Sequence, residues 1–305
     1  MIPLILITGF LGAGKTTFLK QLARQLKVEN LAILVNEFGR EDVDGLLLEE
    51  TRARLEEVHS GSIFCACRLE QFEQGLRRLA EGKPDAILVE TSGLSDPTGV
   101  RSLFDETGRF PGIQYRGCFC LADAVRFEKV YATARVCARQ VEVCDAVILN
   151  KSDLADQEQR KRTRALIEAQ RPGIPIFETS YGAFREEWLG ALRGGALSEG
   201  PAGIHTRDLS LQSRLITLKD SFPPDRLREF LSRFAEHAYR IKGFARLGGE
   251  TLLVDAVGDT INVVPWSGPT ENVNRLVALS GQGLPMTAAI RRACRDFAPY
   301  IDHVE

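Results

Sequence analysis

Gly9-Phe10-Leu11-Gly12-Ala13-Gly14-Lys15-Thr16 is the stretch that decides the fold. It matches in full the phosphate-loop pattern of a glycine, four free positions and Gly-Lys-Ser/Thr. It also lies where such a loop belongs, between an apolar β-type run, Ile2 to Thr8, and a stretch with helical spacing, Thr16 to Lys27. Glycines let the backbone curl until successive N–H groups face one anion, the helix start adds the positive end of its dipole, and Lys15 brings a mobile charge. Gly12, Ala13, Gly14, Lys15, Thr16 and Thr17 are therefore the expected phosphate cradle, with the Thr16 hydroxyl an expected Mg²⁺ ligand.

Working outward, further β-type runs occur at Leu31 to Asn36, Ala86 to Glu90, Gly117 to Ala122, Ala146 to Asn150 and Ile174 to Thr179. They are apolar on both faces, and helical spacing fills the intervals at Leu69 to Ala80, Ala124 to Val143 and Gln157 to Gln170. Such alternation predicts an α/β fold, a P-loop NTPase with a mostly parallel sheet covered on both sides. Gly194, Gly195, Gly200, Pro201 and Gly203 then crowd a stretch with few apolar residues, as in a linker. The expected organisation is a nucleotide domain over 1–195, a linker over 196–208 and a smaller α+β domain over 209–305. In the latter, strands are expected at Ser213 to Lys219, Phe244 to Leu247, Thr251 to Ala256 and Thr260 to Pro265, with helices at Asp225 to Ala238 and Pro285 to Ala298.

Which nucleotide the loop holds is addressed by Asn150-Lys151-Ser152-Asp153, the guanine-reading Asn-Lys-x-Asp pattern at the end of an apolar strand. Asp153 can accept hydrogen bonds from N1–H and the exocyclic amine of guanine, a pair adenine lacks. The Lys151 stem can lie along the base, and Asn150 can tie this loop to the phosphate loop. Asp153 can equally serve as a helix cap. Glu90 ends another buried strand, with Gly93 three positions on; it can hold the Mg²⁺ shell or orient water while Gly93 offers an N–H to a γ-phosphate. Glu37, in Asn36-Glu37-Phe38-Gly39, is a second acidic strand end that can reach metal or water.

The rest of the composition narrows the partners. With 305 residues, 44% hydrophobic and 26% charged, the chain suits one or two globular domains. Its 39 Lys plus Arg against 41 Asp plus Glu leave a net charge of -2, without the basic excess of a nucleic-acid binder. The one basic run, Arg160-Lys161-Arg162 with Arg164, spreads around a helix and reads as a solvated surface. No apolar run reaches the length of a membrane helix. Seven cysteines, an odd number, fit thiols in a reducing cytoplasm. Cys118, Cys120, Cys137, Cys144 and Cys294 read as core packing.

Together these residues resemble the CobW-like family of GTPases, within the SIMIBI class that includes the hydrogenase and urease maturation GTPases. The likeness rests on Ile7 to Thr17, Asn36 to Gly39, Glu90-Thr91-Ser92-Gly93-Leu94-Ser95-Asp96-Pro97, Asn150 to Asp153, and Arg240-Ile241-Lys242-Gly243. It implies a GTPase that helps deliver metals or metal cofactors to target proteins. Family members usually carry Gly-Cys-x-Cys-Cys, a thiolate cluster that the family uses for zinc or cobalt. Here the register reads Gly61-Ser62-Ile63-Phe64-Cys65-Ala66-Cys67, so two expected thiols are replaced. Cys65 and Cys67 alone are too few for a soft divalent ion. His59 can add a third ligand and Glu37 or Asp42 a fourth, or a partner can complete the shell.

The reading is thus a switch that binds GTP and Mg²⁺, hydrolyses GTP slowly until a partner or a GTP-dependent homodimer assists, and serves a client metalloenzyme or corrinoid protein. Lys15, Glu37 and Glu90 are its candidate catalytic residues. An alternative is a GTP-timed chaperone that carries no Zn²⁺ or Co²⁺ itself. An ATP-dependent small-molecule kinase shares the phosphate loop but not Asp153.

Overall fold

The structure is a computed structural model describing residues 1–35, 53–57, 67–98, 103–104, 109–194, 211–268, 270, 272–281 and 284–305, with the backbone alone at 57, 67–70 and 211. The chain divides into two compact units, Met1–Arg207 and Asp208–Glu305. The expected linker, 196–208, lies outside the described residues.

In the first unit seven strands form one sheet in the order β3-β2-β4-β1-β5-β6-β7. They are β1 (Ile2–Gly9), β2 (Leu31–Val35), β3 (Arg54–Glu57), β4 (Ala86–Glu90), β5 (Ile113–Asp123), β6 (Ala146–Asn150) and β7 (Ile176–Glu178). Every pairing is parallel. Period-two alternation explains why the strands are apolar throughout: Leu4 and Leu6 enter one core, Ile5 and Ile7 the other. Cys118 and Cys120 share the first core and Phe119 the second, as expected for thiols that pack.

Two local readings are corrected. The expected helix from Ala124 to Val143 is two helices, α3 (Phe127–Thr133) and α4 (Arg135–Val143), following α1 (Lys15–Gln25) and α2 (Cys67–Glu81). The break is at Ala134, which is extended at φ −129°, ψ 106°. Asp123 delays the start: its Oδ1 accepts from the Val125 and Arg126 N–H groups in a turn before α3. Strand β3 escaped the sequence reading because Arg54, Glu56 and Glu57 make it mostly charged, as suits a sheet edge. Helix α5 (Gln157–Gln170) matches expectation and starts with a capping box between Asp156 and Gln159.

The second unit is a six-stranded antiparallel sheet, ordered β11-β10-β9-β12-β8-β13. Its strands are β8 (Leu211–Leu218), β9 (Arg240–Leu247), β10 (Glu250–Val257), β11 (Thr260–Pro265), β12 (Arg275–Gly281) and β13 (Ile301–Val304). One face, with Ile216, Ile241, Val254 and Leu276, packs on helices α6 (Leu227–Ser232) and α7 (Met286–Asp296). The helix expected over Asp225 to Ala238 shortens to α6 flanked by 3-10 turns. Leaving the helical path at Phe234 (φ −140°) lets Phe234, Ala235 and Ala238 all bury.

Candidate functional site

The ends of β1, β4 and β6 lead to the phosphate loop, Glu90 and Asn150, all singled out from the sequence, at the carboxyl edge where parallel sheets hold their ligands. Between β1 and α1 the chain turns through Gly14 at φ +94°, a left-handed conformation that L side chains rarely adopt. A Cβ at Gly14 would also sit 2.3 Å from Asn150 Nδ2, so glycine is required twice over. Gly14 is the N-cap of α1, and neither a capping side chain nor an acidic residue occupies the first turn. The N–H groups and the dipole of α1 thus face the loop without a carboxylate from the helix's own first turn.

Lys15 is 4% exposed and its Nζ donates to the Phe10 carbonyl at 3.3 Å, across the mouth of the loop. A buried ammonium is stable only with partners, which makes this cation a receptor for an anion. Thr16, half-buried, donates from Oγ1 to Glu90 Oε1 at 2.9 Å, while Thr17 is exposed. A hydroxyl and a fully buried carboxylate at one strand end form the hard-oxygen donor set that Mg²⁺ prefers. Below them, Thr91 Oγ1 donates to Thr8 Oγ1 at 3.1 Å, fastening β4 to β1. Gly93 is buried against Leu11 of the phosphate loop.

Asn150 joins the two halves of the site. Its Nδ2 donates to the Ala13 carbonyl at 2.9 Å, and its Oδ1 accepts from the Gly182 N–H at 3.0 Å. Lys151 takes the left-handed region (φ +60°) and its Nζ pairs with Asp123 Oδ2 at 2.7 Å. Asp153 is exposed beside this loop, its N–H donating to Ser180 Oγ at 3.2 Å. The capping duty it could have had belongs to Asp156.

Sequence reasoning missed Asp123 and the Thr179–Gly182 segment. Asp123 had one usable signal, an acid ending an apolar strand as Glu90 does. The second signal was Gly182 after a strand; it adopts φ +64°, and its Cβ would meet Phe18 N at 2.7 Å.

Glu37, His59 and Cys65 lie outside the described residues, and of Cys67 the backbone alone is described, opening α2. Among the described residues, no group of three or more His, Cys, Asp or Glu could hold a metal ion. Cys118, Cys120, Cys137 and Cys144 are buried, and burial pushes the Cys144 thiol well up from its ordinary value. Half-buried Cys294 is pushed up to about 11 by the same cause. The basic run is spent locally: Arg160 and Arg164 pair with Glu178, Arg162 with Glu128, and Lys161 with Glu158. No helix among the described residues is long and apolar enough to cross a membrane.

Comparison with known proteins agrees with this geometry. Residues 3–178 match the CobW/HypB/UreG nucleotide-binding domain, and 211–298 match the cobalamin synthesis protein cobW C-terminal domain. The zinc chaperone CobW of Pseudomonas aeruginosa is 30% identical over 345 residues, covering 94% of this chain and 89% of the relative. The zinc chaperone YeiR of Escherichia coli is 29% identical over 280 residues, covering 90% and 82%. The crystal structure of Zn(II)-bound YjiA GTPase from E. coli shares the fold, with a TM-score of 0.50 at 21% identity over 97% of this chain and 98% of that one. A phosphate loop tied through Asn150 to a guanine-type loop, in a chain matched along both units, belongs to a P-loop GTPase of the CobW/HypB/UreG family.

Proposed function

We propose that this chain binds and hydrolyses GTP as a switch that assists metal or metallocofactor delivery to a client metalloenzyme in the cytoplasm. The observation that carries the reading is Asn150, whose one amide touches the phosphate loop at Ala13 and the base-side loop at Gly182. A nucleotide seated on the phosphate loop then presents its base to Asp153, and guanine alone matches two acceptors with two donors. Lys151, steered by Asp123, lies along the base. Gly12 to Thr17 supply N–H groups to the phosphates, and Lys15 leaves Phe10 for them.

Thr16 and Glu90 would hold Mg²⁺, which neutralises charge developing on the phosphates. Glu37 and Glu90 place metal and water, and Gly93 offers its N–H to the γ-phosphate. Catalysis is positioning plus charge stabilisation, with no covalent intermediate. The isolated chain turns over slowly, and a partner or a second copy that brings an arginine to the phosphates accelerates it. In this scheme 1–195 is the nucleotide domain and 209–305 the client domain, joined by 196–208. The chain's near-zero net charge of -2 and its spent basic run agree with a protein client, such as a corrinoid protein, rather than a nucleic acid.

The cargo is Zn²⁺ or Co²⁺, the relatives named zinc chaperones favouring zinc. Cys65 and Cys67, with His59, would carry it. Competition of ATP against GTP, before and after Asp153→Ala, tests the nucleotide: equal binding of both by the wild type sinks the GTPase reading and revives a kinase. Metal titration of the reduced protein tests the cargo. Tight Zn²⁺ uptake lost in the Cys65→Ser, Cys67→Ser variant supports carriage; no uptake leaves the GTP-timed chaperone that carries no metal.

A further inference from the structure

The turn after β4 is held from two sides. On one side Gly93 lies against the phosphate loop, where a Cβ would come 2.7 Å from Leu11 N and 2.8 Å from Leu11 Cδ2. Glycine alone allows that approach. On the other side Gln140, on α4, donates from Nε2 to the Gly93 carbonyl at 3.1 Å and to the Ser95 carbonyl at 3.4 Å. The same turn is closed by the Ser95 N–H donating to the Ser92 carbonyl at 3.1 Å. One side-chain nitrogen therefore spans both ends of the segment that meets the phosphate loop.

The environment of Gln140 argues for a purpose beyond packing. The other buried residues of α4 are Val136, Cys137, Val141 and Val143, all apolar, and Gln140 itself is 1% exposed. An apolar residue of similar length would fill that position without the cost of burying an amide. Its polar end is matched by two main-chain carbonyls that belong to the turn after β4 and to no part of α4. The helix carrying it leads through Cys144 into β6, which ends at Asn150.

We infer that Gln140 is a positioning residue that holds the Ser92–Ser95 turn on the phosphate loop, and so sets how well the protein tells GTP from GDP. The inference rests on the reading of Gly93 as a γ-phosphate contact. Gln140 donates to the Gly93 and Ser95 carbonyls, which belong to neither the phosphate loop nor the base loop, so the base and the inner phosphates are bound independently of it. Only the contact made by the turn, present with GTP and absent with GDP, depends on the latch.

Gln140→Met keeps the length and removes the donors. The expected result is a GDP Kd within about twofold of wild type, with a non-hydrolysable GTP analogue bound about tenfold more weakly, as loss of two hydrogen bonds produces. The kcat falls by a similar factor. A variant with a lowered Tm but an unchanged GTP-to-GDP preference and kcat would overturn the inference, because Gln140 would then be structural only. Wild type binding neither nucleotide would instead overturn the underlying reading. Should Gln140→Met fail to fold, hydrogen exchange on the wild type decides: slower exchange over 135–143 with the GTP analogue than with GDP supports the latch, and identical exchange rejects it.

Discussion

The two sheets of this protein solve the burial problem in opposite ways. In the parallel sheet both faces are core, with Leu4 and Leu6 on one side and Ile5 and Ile7 on the other, so a ligand can meet it only at the strand ends. Those ends carry Glu90, Asp123 and Asn150, and Lys15 opens the helix that follows β1. The antiparallel sheet packs one face on helices and leaves Val264 47% and Val277 39% exposed on the other. Its stability is concentrated under that one face, where Phe222, Phe230, Phe234 and Phe297 form a chain of ring contacts 5.3–5.7 Å apart. Chemistry and stability are thus separable in this molecule, which substitutions can test.

The largest expected effect is Phe230→Ala. Phe230 is fully buried and touches three of the other aromatic rings, so truncation costs about 3–5 kcal/mol of unfolding free energy. Calorimetry should show a transition of the second unit moving down while GTP affinity stays near wild type. Lost GTP binding would show that the units do not stand apart in stability. Next comes Lys15→Ala, the reverse case. Removing a preorganised cation from the phosphates lowers kcat/KM for GTP by about 10²–10³-fold. Thermal stability should change far less, because what the ammonium gives the fold among the described residues is a long hydrogen bond, 3.3 Å, to the Phe10 carbonyl.

The same separation governs what could be read without a structure. The phosphate loop and the Asn150 to Asp153 loop were legible because their chemistry forces particular residue types into a few adjacent positions. Their partners were not. Asp123 meets Lys151 across 28 residues, Gly182 meets Asn150 across 32, and Gln140 meets Gly93 across 47; Asp123 and Gly182 carry only a faint local signal, and Gln140 carries none. Ala134 hid the break between α3 and α4, since alanine is the strongest helix former and tertiary packing overrode it. In the second unit the strand-like run Thr260 to Pro265 coincides with β11, whereas β13, only Ile301–Val304, was too short to carry a period.

Asp153→Ala sharpens the contrast inside the first unit. Asp153 is exposed and bonds Ser180 through its main-chain N–H, so its carboxylate can serve a base. Loss of the carboxylate should reduce GTP affinity by about 10²-fold, the worth of charge-assisted hydrogen bonds, and leave ATP binding unchanged. Competition binding measures both. A variant that loses GTP and ATP together would mean that the residue shapes the loop instead of reading guanine.

The smallest effect is the most direct comparison of the sheets, because it makes one chemical change in each. Val89 and Val264 are both strand valines, but Val89 is fully buried in one core of the parallel sheet and Val264 lies on the open face of the antiparallel sheet. Valine to threonine conserves shape and β-propensity and swaps a methyl for a hydroxyl. At Val89 the hydroxyl leaves water, so Val89→Thr should cost about 1–2 kcal/mol. At Val264 the hydroxyl stays solvated, so Val264→Thr should stay within about 0.5 kcal/mol of wild type. Denaturant titrations of the two variants give the difference. If Val264→Thr costs as much as Val89→Thr, the open face is covered in solution, and the second sheet is buried on both sides like the first.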